Sequence, residues 1–145
     1  MDIKGYEKFG VLPFAKWDYE PVRAANEMMM SGKEEEGIDQ LQNLAEEGNA
    51  IAMFYRGYHY IYGNGVEEDE KKAVEWYHKA ADAGELESQM TLGFSYKTGR
   101  YGLEEDYHKA IEWYEKAAMQ NFAEAQKSLG CIYLYKGSTE EDNSK

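Results

Sequence analysis

Residues 50–84 read AIAMFYRGYHYIYGNGVEEDEKKAVEWYHKAADAG, and the chain then repeats that pattern. Residues 86–118 read LESQMTLGFSYKTGRYGLEEDYHKAIEWYEKAA, and residues 123–137 restart it as AEAQKSLGCIYLYKG. Gly57, Gly93 and Gly130 hold one position, 36 and then 37 residues apart. A period of that size with helical texture means stacked helical hairpins. Such stacks more often present a surface to a partner than house chemistry.

Each copy divides into two helices. In the first, Ala50, Met53, Gly57 and Tyr60 share a face and predict a helix from about Ala50 to Tyr62. Gly63-Asn64-Gly65 breaks it, because Gly and Asn tolerate positive φ. Asp69 is placed to cap a second helix over about 70–83, whose apolar residues are Ala73, Trp76, Tyr77, Ala80 and Ala81. Gly84 closes that helix. A mid-helix glycine costs roughly 1 kcal/mol against alanine. Its recurrence at Gly57, Gly93 and Gly130 therefore predicts close approach of the paired helices. The extra residue of the second copy falls in the loop Gly99-Arg100-Tyr101-Gly102, where a solenoid absorbs insertions.

Upstream, residues 35–48 align with residues 71–84 and keep the apolar face through Ile38, Leu41, Leu44 and Ala45. Gln40 stands where the later copies have tryptophan, as suits an end repeat facing water. Ala24, Ala25, Met28 and Met29 belong to its first helix, which ends at Ser31-Gly32. The expected organisation is an irregular cap or arm over residues 1–20 and a repeat domain over 21–137. Within the domain lie a degenerate repeat (21–48), full repeats (49–84 and 85–121) and a half repeat (122–137). A frayed tail follows over 138–145. For residues 1–20, a cap over the first hairpin and an arm for a partner or second chain both stay open.

The 145 residues suffice for one modest domain. Mean hydropathy is low, −0.79, but 14% of residues are aromatic and recur in register, so the chain is expected to be ordered. A net charge of −12 argues against a phosphate-binding surface or an anionic membrane, and fits a basic protein partner. The single cysteine, Cys131, excludes an internal disulfide. The start of the chain has no apolar signal core, and no run has the length of a membrane span, so a cytoplasmic location is expected.

No catalytic constellation stands out. His59, His78 and His108 sit at different repeat positions, and no pair has the spacing of a helical metal site. Cys131 has no local base beyond Lys127. Glu67-Glu68-Asp69 and Glu104-Glu105-Asp106 fall at helix starts, where negative charge suits the dipole, and they lack calcium-loop spacing. The expectation is a non-enzyme without cofactor or metal. A hydrolase remains the alternative, and it requires His78 or His108 to meet an acid across repeats.

The pattern resembles the Sel1-like repeat, a relative of the tetratricopeptide repeat. The resemblance rests on Leu92-Gly93-Phe94-Ser95-Tyr96 and a Gly-rich loop. It rests also on Lys72-Ala73-Val74-Glu75-Trp76-Tyr77-His78-Lys79-Ala80-Ala81 and on Lys109-Ala110-Ile111-Glu112-Trp113-Tyr114-Glu115-Lys116-Ala117-Ala118. Arg56 departs from it, replacing a leucine. The resemblance implies an all-α, right-handed superhelical solenoid of antiparallel helix pairs, with adaptor or scaffold work through protein contact. It implies that the first helix of each pair lines a concave groove. By phase from the repeat glycine, the groove positions expected to touch a protein or peptide partner are Phe54, Tyr58, Tyr62, Met90, Phe94, Lys97, Lys127 and Tyr135. A sharper expectation is an acidic bacterial immunity or antitoxin-type protein that neutralises a basic toxin domain. The half repeat is expected to leave Leu129, Ile132 and Tyr133 partly bare, so a homodimer through that end or the N-terminal arm is a further expectation.

Overall fold

The computed structural model describes residues 20–143, with side chains described as far as Tyr135. The cap or arm expected of residues 1–20 lies outside the described residues, apart from Glu20. The described residues form seven helices and no strand. They are α1 (Glu20–Met30), α2 (Glu34–Glu46), α3 (Ala50–Tyr62), α4 (Glu70–Asp82), α5 (Leu86–Thr98), α6 (Tyr107–Ala118) and α7 (Ala123–Asn143). Contacts group them into a first unit ending at Ser88 and a second beginning at Gln89.

In the first unit α1 packs on α2, α2 on α3 and α3 on α4. Small residues set the spacing, as the repeat pattern predicts. A Cβ added at Gly57 of α3 would lie 3.0 Å from ring carbons of Tyr77 on α4 and 3.1 Å from the Ala73 carbonyl oxygen. Ala73 and Ala80 are wholly buried on the facing side. Gly37 does the same between α1 and α2, where a Cβ would meet the Ala25 carbonyl oxygen and Met29 Cγ at 2.5 Å. Each of these contacts trades helix propensity for close packing. Tyr55, Tyr77, Phe54 and Leu41 fill the core between the small residues. Full burial of such a side chain is worth about 1.5–3 kcal/mol.

The second unit repeats the device. A Cβ on Gly93 of α5 would sit 2.8 Å from the Tyr114 ring of α6. Leu92, Ala110, Tyr114 and Ala117 are buried beside it, and α6 packs on α7. Gly130 of α7 holds the same repeat position, yet a Cβ there would meet nothing within 4 Å. Of the three residues expected to be partly bare on α7, Tyr133 is exposed and Leu129 half-buried, but Ile132 is buried. It lies on a helix that packs against α6. The backbone of α7 runs helically through Gly137 to Asn143, past the point where the sequence reading placed fraying.

The helix ends follow capping chemistry. Asp69 Oδ1 accepts from the Lys72 backbone N–H at 3.1 Å, and Asp106 Oδ1 accepts from Lys109 N–H at 3.1 Å. Asn49 Oδ1 accepts from Ala52 N–H at 2.9 Å at the start of α3. These bonds satisfy donors that no helix can satisfy for itself. Each Gly-rich loop is also clasped at its base. Asp69 N–H donates to the Tyr60 carbonyl at 3.0 Å, and Asp106 N–H to the Tyr96 carbonyl at 2.7 Å. The second loop carries one residue more, and Tyr101 in it takes a left-handed φ of 56°.

Candidate interaction surface

The predicted groove residues fall into two groups. Phe54 and Tyr58 on α3 are only 1% and 3% exposed. Their rings belong to a packed cluster. Phe54 lies 5.2 Å from Tyr55 and 5.8 Å from Tyr77, centroid to centroid, and Tyr58 lies 4.7 Å from Tyr62. The placement of Phe54 and Tyr58 on a contact surface is therefore corrected. Sequence reasoning treated the core as already filled by one face of α3, but α3 is apolar around most of its circumference and is buried on both faces. Such a helix is a core element. Burial raises the Tyr55 phenol far above its ordinary value, with the neighbouring Tyr58 and Glu87 adding to it. Tyr62, at the end of α3, is half-buried.

The second unit is different. Phe94 on α5 is 44% exposed and Tyr135 on α7 is 57% exposed. Met90 and Lys97, on either side of Phe94 by helical spacing, are half-buried, and Lys127 on α7 is exposed. The Arg100 guanidinium lies 5.8 Å from the Phe94 ring centroid and 5.3 Å from that of Tyr101. Tyr107 and Tyr135 stack at 5.9 Å. Sequence reasoning missed Arg100, because it placed the loop residue outside the helical phase. The signal was the cation in the one-residue insertion, within a helical turn or two of Phe94. Exposed rings with an arginine alongside are common anchors of protein contacts.

Arg56 holds the position of Leu92 and Leu129 in the later copies, and it is buried. Its Nε donates to Gln42 Oε1 at 3.0 Å and its NH2 group to Tyr60 Oη at 3.2 Å. Its guanidinium lies 5.0 Å from the Tyr60 ring and 5.9 Å from that of Trp76. Flat, weakly hydrated arginine tolerates such a box better than lysine.

Of the residues the hydrolase reading needs, His78 is half-buried on α4 and His108 exposed near the start of α6. Among the described residues, no three His, Cys, Asp or Glu side chains are grouped to hold a metal ion. No helix there is long and apolar enough to cross a membrane.

A Sel1 repeat model matches residues 50–85 and 86–122, the two hairpins just described. The chain belongs to the Sel1 repeat family. It is similar to an ERAD-associated E3 ubiquitin-protein ligase component, HRD3A, of Arabidopsis thaliana, at 41% identity over 47% of this chain and 10% of that protein. It is similar also to human protein sel-1 homolog 2, at 37% identity over 43% of this chain and 9% of that protein. Among solved structures it resembles a Sel1 repeat protein from Oxalobacter formigenes, with a TM-score of 0.65 and 33% identity over 79% of this chain and 45% of that one. A protective antigen of uropathogenic Escherichia coli with an SLR fold gives a TM-score of 0.62 and 38% identity over 66% and 20%. The match thus spans about a tenth of the curated relatives' length. The Sel1 fold is all-α and built of helical hairpins, as here, and its repeats typically mediate protein–protein interaction.

Proposed function

We propose that this Sel1 repeat chain is a non-catalytic adaptor that binds a protein or peptide partner through the first-helix faces of its second unit. Met90, Phe94 and Lys97 on α5 and Lys127 and Tyr135 on α7 form the contact set, with Arg100 beside Phe94. One observation carries this reading. The position after the repeat glycine is sealed in α3, as Tyr58, and open in α5, as Phe94. Leaving a phenylalanine in water forgoes burial energy that the neighbouring repeat recovers, and an interface is the usual compensation. The chain's −12 charge favours a basic partner through faster encounter.

The test is capture of a partner from source-cell lysate on immobilised full chain, wild type beside Phe94→Ala/Tyr135→Ala. A partner lost by the variant with unchanged circular dichroism supports the surface. A partner held equally by both removes it.

A further inference from the structure

Residue for residue, α7 repeats the side of α5 that holds α6. On α5 that side is Gln89, Gly93 and Tyr96, and the same residue types return on α7 as Gln126, Gly130 and Tyr133. Their spacing of four and then three places them on one helix face. On α5 all three are buried. The Tyr114 ring of α6 lies over Gly93, so close that an added Cβ would fall 2.8 Å from it. Gln89 Oε1 accepts from Gln120 Nε2 at 2.9 Å, just past the end of α6. The Lys109 ammonium lies 5.3 Å from the Tyr96 ring centroid. On α7 all three are exposed, Tyr133 by 52%. Gly130 has open space where Gly93 has a ring.

The two complete hairpins define what fits such a side. α4 and α6 share the pattern Lys-Ala-x-x-x-Tyr-x-x-Ala, as Lys72, Ala73, Tyr77 and Ala80 and as Lys109, Ala110, Tyr114 and Ala117. All four alanines are wholly buried, which lets the helices approach closely. Each tyrosine ring seats on the repeat glycine. Each lysine meets the face of the repeat tyrosine, Lys72 at 5.6 Å from the Tyr60 centroid. Both copies of the pattern are thus seated, on α3 and on α5. Gly130 lowers the helix propensity of α7 and receives no ring in return.

We infer that the Gln126–Gly130–Tyr133 side of α7 is a docking site for one helix of a partner protein, an amphipathic helix that carries Lys-Ala-x-x-x-Tyr-x-x-Ala and completes the third hairpin from outside. Its tyrosine seats on Gly130, its alanines lie along α7, and its lysine covers the Tyr133 ring. The site goes beyond the Phe94 surface. By helical phase, Tyr135 of that surface lies about 140° round α7 from Gly130, and Arg100 and α5 take no part.

The test is a ¹H–¹⁵N titration of the full chain with a peptide of residues 106–120, the α6 sequence, locked as a helix by a lactam between the Glu112 and Lys116 side chains. Both are exposed on α6, and the lock removes the ordering cost that leaves short free helices unstructured. Saturable shifts centred on residues 123–137 are expected. The same peptide with Tyr114→Ala is expected to bind at least about tenfold more weakly. In the chain, Gly130→Leu fills the seat and is expected to weaken binding at least about tenfold. Its thermal midpoint should hold or rise, since the position is open and leucine favours helix. A glycine with a merely structural role would not give that combination. Should the leucine disturb α7, Gly130→Ala, whose Cβ alone meets a seated ring, is expected to weaken binding about three- to tenfold. No saturable shift, shifts centred on α5 through exchange with the chain's own α6, or equal binding of the Tyr114→Ala peptide would overturn the site. Sedimentation of the chain alone tests a second copy as the occupant: a dimer that Gly130→Leu disperses would overturn the partner-helix assignment, and a monomer supports it. A failed lysate capture leaves the titration's result intact, and a silent titration leaves the Phe94 surface intact.

Discussion

The α3–α4 hairpin and the α5–α6 hairpin are the same construction with different outer faces. In both, a glycine on the first helix meets a tyrosine ring on the second, Gly57 with Tyr77 and Gly93 with Tyr114. In both, an aspartate caps the second helix. One residue past the glycine they part, with Tyr58 sealed in a ring cluster and Phe94 in water beside Arg100. Two residues past it, buried His59 in the first hairpin corresponds to Ser95 in the second, whose Oγ donates to the Thr91 carbonyl at 2.6 Å. The inner positions of the repeat answer to packing, whereas the outer ones are buried for stability in one unit and left in water in the other, where we propose that they serve recognition.

The sharpest way to break this contrast is to truncate the matched rings. Tyr58→Ala is expected to cost about 3 kcal/mol or more in urea unfolding, as for other large core truncations. Phe94→Ala should change stability by less than about 1 kcal/mol. Equal losses would mean that the two faces are energetically alike.

Acid should separate the units next. His59 has its folded pKa depressed to about 3, first by burial and then by Arg56. Above its ordinary value of 6.5 the residue is neutral in both states and contributes no pH dependence. Below 6.5 the unfolded chain takes up a proton that the folded chain refuses, so stability falls as pH falls and levels off only near pH 3. Between pH 7 and pH 5 the loss is on the order of 2 kcal/mol. His59→Ser, which copies the second hairpin, should flatten the stability profile over that range. An unchanged slope would assign the acid sensitivity to other groups.

The glycines give a change of sign. Gly93→Ala forces its Cβ against the Tyr114 ring and is expected to destabilise by about 1–2 kcal/mol. Gly130→Ala meets open space and should stabilise by up to about 1 kcal/mol through helix propensity. The smallest effects are those shared by both hairpins: Asp69→Ala and Asp106→Ala should each cost about 1 kcal/mol. A large difference between the two caps would show that the hairpins are less alike than their geometry.

The bounds of α3 and α4 were legible in the sequence. Gly63, Asp69 and Gly84 are local signals whose physics needs no tertiary partner, and α3 ends and α4 starts where they place them. The surface was less legible. Phase from Gly57 puts Phe54 and Tyr58 on a second face correctly, but phase does not say whether that face is covered. Coverage is a long-range property, and α3 gives no polar stripe to mark an outside. On α5, Lys97 and Thr98 mark an outer side, and there the Phe94 ring is 44% exposed.

The clasp at the foot of each loop has a consequence for how such chains change length. Asp69 and Asp106 bond back to Tyr60 and Tyr96, matched positions, although the spans they close differ by one residue. The tip can therefore gain or lose residues while the two helices keep their register. That makes the tip an editable hinge of the design. An epitope or reporter grafted between Gly99 and Gly102 would ride on the hairpin without being read by its core.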